Sequence, residues 1–62
     1  MLHTTDLQDI QQSLLKEKEG MIEYLLLKVN KQDWHGVADA AMDIREIEAK
    51  LSALSTFSTI LS

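Results

Sequence analysis

The sequence predicts an all-α protein, an antiparallel two-helix hairpin that assembles with a second copy into a dimeric four-helix bundle. Three observations carry this expectation. The chain has no proline and only two glycines among many Leu, Ala, Glu, Lys and Gln, a mixture that favours helix over turn-rich β structure. Apolar residues recur at steps of three and four on either side of a short polar break at 30–33, which is helical spacing, and no stretch alternates with the period of two that a strand needs. The first of the two segments also carries more apolar surface than one neighbouring helix can cover.

Residues 1–62 read as a single domain. A chain this short buries only about 60% of the surface it exposes when unfolded, so it needs disulfides, a metal, idealised packing or a partner. No cysteine is present, which excludes disulfides and thiolate metal sites. Two histidines, His3 and His35, are too few for a structural zinc site. Good helix packing or self-association is what remains, with a dimer as the simplest oligomer; the same pattern admits trimers and higher bundles.

The first helix is expected over about residues 6–29. Thr5 with Gln8 three residues on makes a capping-box pattern, and Asp6 and Asp9 place negative charge where the helix dipole favours it. Leu7, Ile10, Leu14, Met21 or Ile22, Leu25 and Val29 follow helical spacing. Gly20, after Lys16-Glu17-Lys18-Glu19, is either tolerated inside one helix or splits it in two; the stripe keeps its phase across Gly20, which favours one helix. Beyond it, Met21, Tyr24, Leu26 and Leu27 cannot all face a single partner, and they are the expected subunit or partner contact, joined by Phe57 and Leu61 at the other end of the chain.

The turn falls at 30–33. Asn30 tolerates the left-handed conformation that ends helices, and Asp33 suits the start of the next one. So short a connection makes the two helices antiparallel. The second helix is expected over about 34–56. Val37, Ala40, Ile44, Ile47, Leu51, Leu54, Ser58 and Leu61 alternate steps of three and four, a heptad seam in which only Ser58 is polar. This seam should face Leu7, Ile10, Leu14, Ile22, Leu25 and Val29. Residues 57–62 form a Ser/Thr-rich tail that either frays or docks on another subunit, since Ser and Thr are poor mid-helix residues.

Candidate chemistry is sparse. His35, Asp39 and Asp43 fall on one helical ridge, a spacing that can hold a divalent metal, but a solvated polar face gives the same ridge, and no metal or cofactor is expected. The acids Glu17, Glu19, Glu23, Asp39, Asp43 and Glu46 do not reproduce the Glu-x-x-Glu and Glu-x-x-Asp pattern of the all-α nucleotide pyrophosphatases. No nucleophile–base pair or Gly-rich phosphate loop is present, so no catalytic residue is assigned and an enzyme is not expected. Trp34 reads as an apolar cap on the open end of the hairpin, against Val29 and Leu26, ahead of a binding hot spot.

A net charge of −4 and a pI near 4.9 argue against nonspecific nucleic-acid binding and against anionic membranes. No signal peptide or membrane span is read, and the simplest address is the cytoplasm. In size and topology the chain resembles short plasmid copy-number proteins that dimerise into a four-helix bundle and bind RNA. That likeness, with Lys16, Lys18, Lys28 and Lys31 on the first helix, supports an alternative reading as a dimeric RNA- or DNA-binding regulator. The stretch Asp33-Trp34-His35-Gly36-Val37-Ala38-Asp39-Ala40-Ala41-Met42-Asp43-Ile44-Arg45-Glu46-Ile47-Glu48 is similar to segments of short helical proteins of tailed phages. The resemblance implies a small helical fold of phage origin acting in the host cytoplasm, and no mechanism. The expected function is therefore a small non-enzymatic protein–protein interaction or oligomerisation module, conceivable as a phage-encoded modulator.

Overall fold

A computed structural model describes residues 4–61, and the side chains of residues 6–60. Two helices, α1 (Thr4–Asn30) and α2 (Trp34–Leu61), pack against each other as a hairpin. They run antiparallel: Lys18 on α1 meets Glu48 on α2 at 3.1 Å, and Leu7 lines one hollow with Leu54 and Ser58. The result is a rod of 45 × 15 × 14 Å, one helix pair thick. His3 and the side chains of Thr5, the expected cap, and Leu61 lie outside the described set, and the backbone at Thr5 is already helical.

The turn is built by hydrogen bonds that close the end of α1. The Gln32 N–H donates to the Val29 carbonyl at 2.9 Å, and the Asp33 N–H donates to the Lys28 carbonyl at 2.9 Å. This pair of bonds is a Schellman motif, which needs one left-handed residue just past the helix. Gln32 takes that conformation, with φ of 57°; Asn30, the residue expected there, is still helical. A side chain bearing a Cβ is strained in this region by about 1–2 kcal/mol. Gln32→Gly is therefore expected to raise the free energy of unfolding by about 1 kcal/mol, read from the midpoint of a urea titration followed by circular dichroism.

Asp33 starts α2. Its Oδ1 accepts the Gly36 N–H at 3.0 Å, and its carbonyl accepts the Val37 N–H at 3.0 Å, as an N-cap should. The two glycines have different roles. A Cβ on Gly36 would lie 2.9 Å from both Asp33 Oδ2 and Lys28 Cδ, whereas one on Gly20 would meet nothing within 4 Å. Gly20 sits inside an unbroken α1. Gly20→Ala should thus stabilise by about 1 kcal/mol, the helix-propensity difference. Gly36→Ala should show no such gain, because the new methyl displaces the capping carboxylate. Parallel thermal melts of the two variants check the contrast.

The core is thin. Among the described residues the buried apolar side chains are Leu7, Ala40 and Ile47. On α2 the expected seam lies inward from Val37 to Leu54: Val37, Ile44, Leu51 and Leu54 are half-buried beside Ala40 and Ile47, whereas Ser58 is exposed. On α1 the inward set differs from the expected one. Leu7 is buried, Leu14 and Leu25 are half-buried, and Lys18, Met21 and Lys28 share their face at heptad spacing and are also half-buried. Ile10, Ile22 and Val29, expected in the seam, remain 38–40% exposed at its edges. The physical reason is that lysine buries its methylene stem while its ammonium reaches the rim; Lys18 and Lys28 do so toward Glu48 and Asp33.

The Ser/Thr-rich segment is helical through Leu61. Thr56 Oγ1 donates to the Ser52 carbonyl at 3.2 Å, and Thr59 Oγ1 donates to the Ser55 carbonyl at 3.0 Å. These hydroxyls bond back along the helix they sit on, so they do not draw the chain into a turn.

Candidate functional site

The feature to account for is apolar surface left in water. Ile10, Ile22, Tyr24, Leu26, Leu27, Val29, Trp34, Met42, Phe57 and Ile60 are each at least 38% exposed. Seven of these ten fall between residues 22 and 42, so the surplus concentrates in the half of the rod nearest the turn.

Helical spacing sorts them onto two flanks of the seam. Gln8 and Ser55 line one hollow, which puts the series Gln8, Leu15, Ile22, Val29 on the same flank as the α2 series Trp34, Ala41, Glu48, Ser55. Leu26 lies beside the first of these. Ile10, Lys50 and Phe57 line a second, apolar groove with Leu14, Ala53 and Leu54. That puts Ile10, Glu17, Tyr24, Lys31 on the other flank with Gly36, Asp43, Lys50, Phe57. The second flank carries four ionisable charges, Glu17, Lys31, Asp43 and Lys50; the first carries only Glu48, which is bound to Lys18.

Of the residues expected to make a subunit or partner contact, Leu26, Leu27, Tyr24 and Phe57 are exposed, at 59, 47, 44 and 44%. They do not share one face. Leu26 stands beside the Ile22–Val29 flank, Tyr24 and Phe57 belong to the opposite one, and Leu27 lies three residues from Tyr24. Met21 is half-buried between Lys18 and Leu25 on the inner face, and the Leu61 side chain is outside the described set. Trp34 is 63% exposed, so it does not close the hairpin end against Val29 and Leu26 as expected. Sequence reasoning also assigned Ile10, Ile22 and Val29 to the core. The width of the apolar arc on α1 was the signal that they extend past one neighbour.

The polar groups form local clamps. The Lys28 ammonium lies 5.1 Å from the Tyr24 ring centroid and 3.5 Å from Asp33 Oδ2. The Gly36 N–H, foremost, and then Lys28 hold the Asp33 carboxyl below its ordinary value. The charge and hydrogen bonding of the Tyr24 hydroxyl, foremost, and then Asp33 raise Lys28 above its own. These groups tie α1, the turn and α2 together. Lys28 is engaged here, as Lys18 is by Glu48; they are two of the four lysines, with Lys16 and Lys31, that could have formed a basic face.

His35 Nε2 stands 3.6 Å from Asp39 Oδ2, both on an open surface. Among the described residues no group of three or more His, Asp or Glu is placed to hold a metal ion, and no helix is long and apolar enough to cross a membrane. No family model matches the chain, and no curated protein or solved structure is similar to it at a meaningful level.

Proposed function

We propose that this chain is a small interaction module that works by helix-on-helix association, and that its first partner is a second copy of itself. One observation supports the reading above the rest. A compact protein of 7.0 kDa should expose about 4000 Å², whereas this hairpin exposes 4931 Å². The excess is roughly 900 Å², close to the roughly 800 Å² that each partner contributes to a standard protein–protein interface. The radius of gyration agrees: 14.3 Å, against about 10.6 Å for a compact domain of 62 residues. Pairing two rods side by side supplies the missing second layer, and the product is a dimeric four-helix bundle.

A surface that wants helical partners and offers no reacting groups fits an oligomerisation or protein-binding role, with no chemistry of its own. The phage-like segment at Asp33–Glu48 fits a phage-encoded modulator that uses its bundle to engage another protein.

Sedimentation equilibrium tests the reading. The expected result is a mass twice the 7.0 kDa chain, and loss of that species in the Leu26→Asp, Leu27→Asp double variant. A stable, compact single chain at high concentration overturns it.

A further inference from the structure

We propose that the second copy docks along the α1 flank of Leu15, Ile22 and Val29, antiparallel to the first, with the two-fold axis passing at Ile22. The proposal rests on the dimer reading above and adds the face and the direction.

The choice of face follows from charge. An interface core is depleted of charged residues. The Leu15–Ile22–Val29 flank and its α2 continuation, Trp34, Ala41, Glu48 and Ser55, hold one charged side chain, already paired with Lys18. The opposite flank holds four. Leu15 is half-buried, and Ile22 and Val29 are 38 and 39% exposed, so each touches the hairpin's own seam and has surface left over. That is the disposition of a residue at the junction of three helices. Ala38 and Ala41, next to the flank on α2, are small enough to let a neighbouring helix approach closely.

Symmetry follows from spacing. A two-fold contact must be complementary to itself. Leu15 and Val29 are each seven residues from Ile22, about two helical turns on either side. Reversing the helix about Ile22 places Leu15 on the partner copy's Val29 and Ile22 on its own mate, so each of these three apolar side chains meets another. Direction follows from the acids. Glu19 borders the flank on α1 and Glu48 lies on it on α2. A parallel two-fold pairing of α1 with its copy would set Glu19 against its own mate, which is unfavourable. The antiparallel pairing separates Glu19 from its mate by six residues, about 9 Å along the helix. It also runs neighbouring helix dipoles in opposite directions.

The chain has no cysteine, so single cysteines report the geometry directly. Disulfides form only where Cβ atoms come within about 3.5–4.5 Å. Under mild oxidation, Ile22→Cys should cross-link to dimer, while Tyr24→Cys and Phe57→Cys should not. Leu15→Cys and Val29→Cys should each cross-link poorly alone and several-fold better when mixed. Sedimentation of the reduced, unmodified chain accompanies the series. If it is a dimer and Tyr24→Cys or Phe57→Cys links instead of Ile22→Cys, the proposed face is overturned while the dimer stands. If Leu15→Cys links to itself as well as it links to Val29→Cys, the antiparallel direction is overturned. If the unmodified chain is a monomer, the dimer reading fails, and this proposal with it.

Discussion

Ile47→Ala is expected to leave the chain largely unfolded at 25 °C. Ile47 is 3% exposed at the middle of α2 and is the larger of the two buried apolar side chains on that helix. Truncating a buried isoleucine to alanine costs about 2–5 kcal/mol, through lost transfer energy and the cavity left behind. A single core in a domain of this size rarely supplies more than about 3–5 kcal/mol. The substitution therefore removes most of what holds the hairpin, and no second core layer within the chain compensates. Loss of helical circular dichroism in buffer, or a urea midpoint moved close to zero, is the expected reading. A midpoint equal to that of the unaltered chain would show that Ile47 carries little of the stability.

Ala40→Leu is expected to destabilise from the opposite direction. Ala40 is fully buried in the seam, so a longer side chain has no solvent to turn into. Adding three heavy atoms there forces the helices apart or drives side chains off their rotamers, at a cost of about 1–3 kcal/mol. For a domain of this length that lowers the melting temperature by roughly 5–20 °C. The pair of variants separates two requirements. Ile47 shows how much apolar volume the seam must contain, and Ala40 shows how little more it can accept where it is fully buried. If Ala40→Leu melts at or above the unaltered temperature, the helices do not meet closely there.

How much of this was legible beforehand depended on which side chains occupy the seam. On α2 the steps of three and four run through residues that are apolar without exception from Val37 to Leu54, so hydrophobicity and position carry the same signal, and the inward face was readable. On α1 the inward series passes through Lys18 and Lys28. A reading that counts lysine as outward fills the seam with apolar residues from its two edges, Ile10 on one side and Ile22 and Val29 on the other, and so draws it too wide. The turn was placed correctly between the helices, but its left-handed residue was not. Propensity points to Asn30, whereas the hydrogen bonds from Gln32 and Asp33 to Val29 and Lys28 fix that conformation at Gln32. The helical course of residues 57–61 was hidden because Ser and Thr count against helix on average, and whether their hydroxyls bond back along it is decided by rotamers. The candidate contact surface was half legible. An apolar arc too wide for one neighbour announces surplus surface, but sorting Leu26 from Tyr24 required knowing which residues face inward.

The clamp at the turn also sets an order of events. Asp33, Gly36, Lys28 and Val29 meet across only a few residues, so the entropy lost in closing that loop is small. Each further layer, out to Leu7 and Leu54, then adds to a nucleus already in place, as teeth follow the slider of a zipper. Assembly is expected to start at the turn and run toward the far end of the rod, with loosening the other way. Amide exchange should accordingly be slower around Leu25 and Val37 than around Leu7 and Leu54, a gradient readable residue by residue.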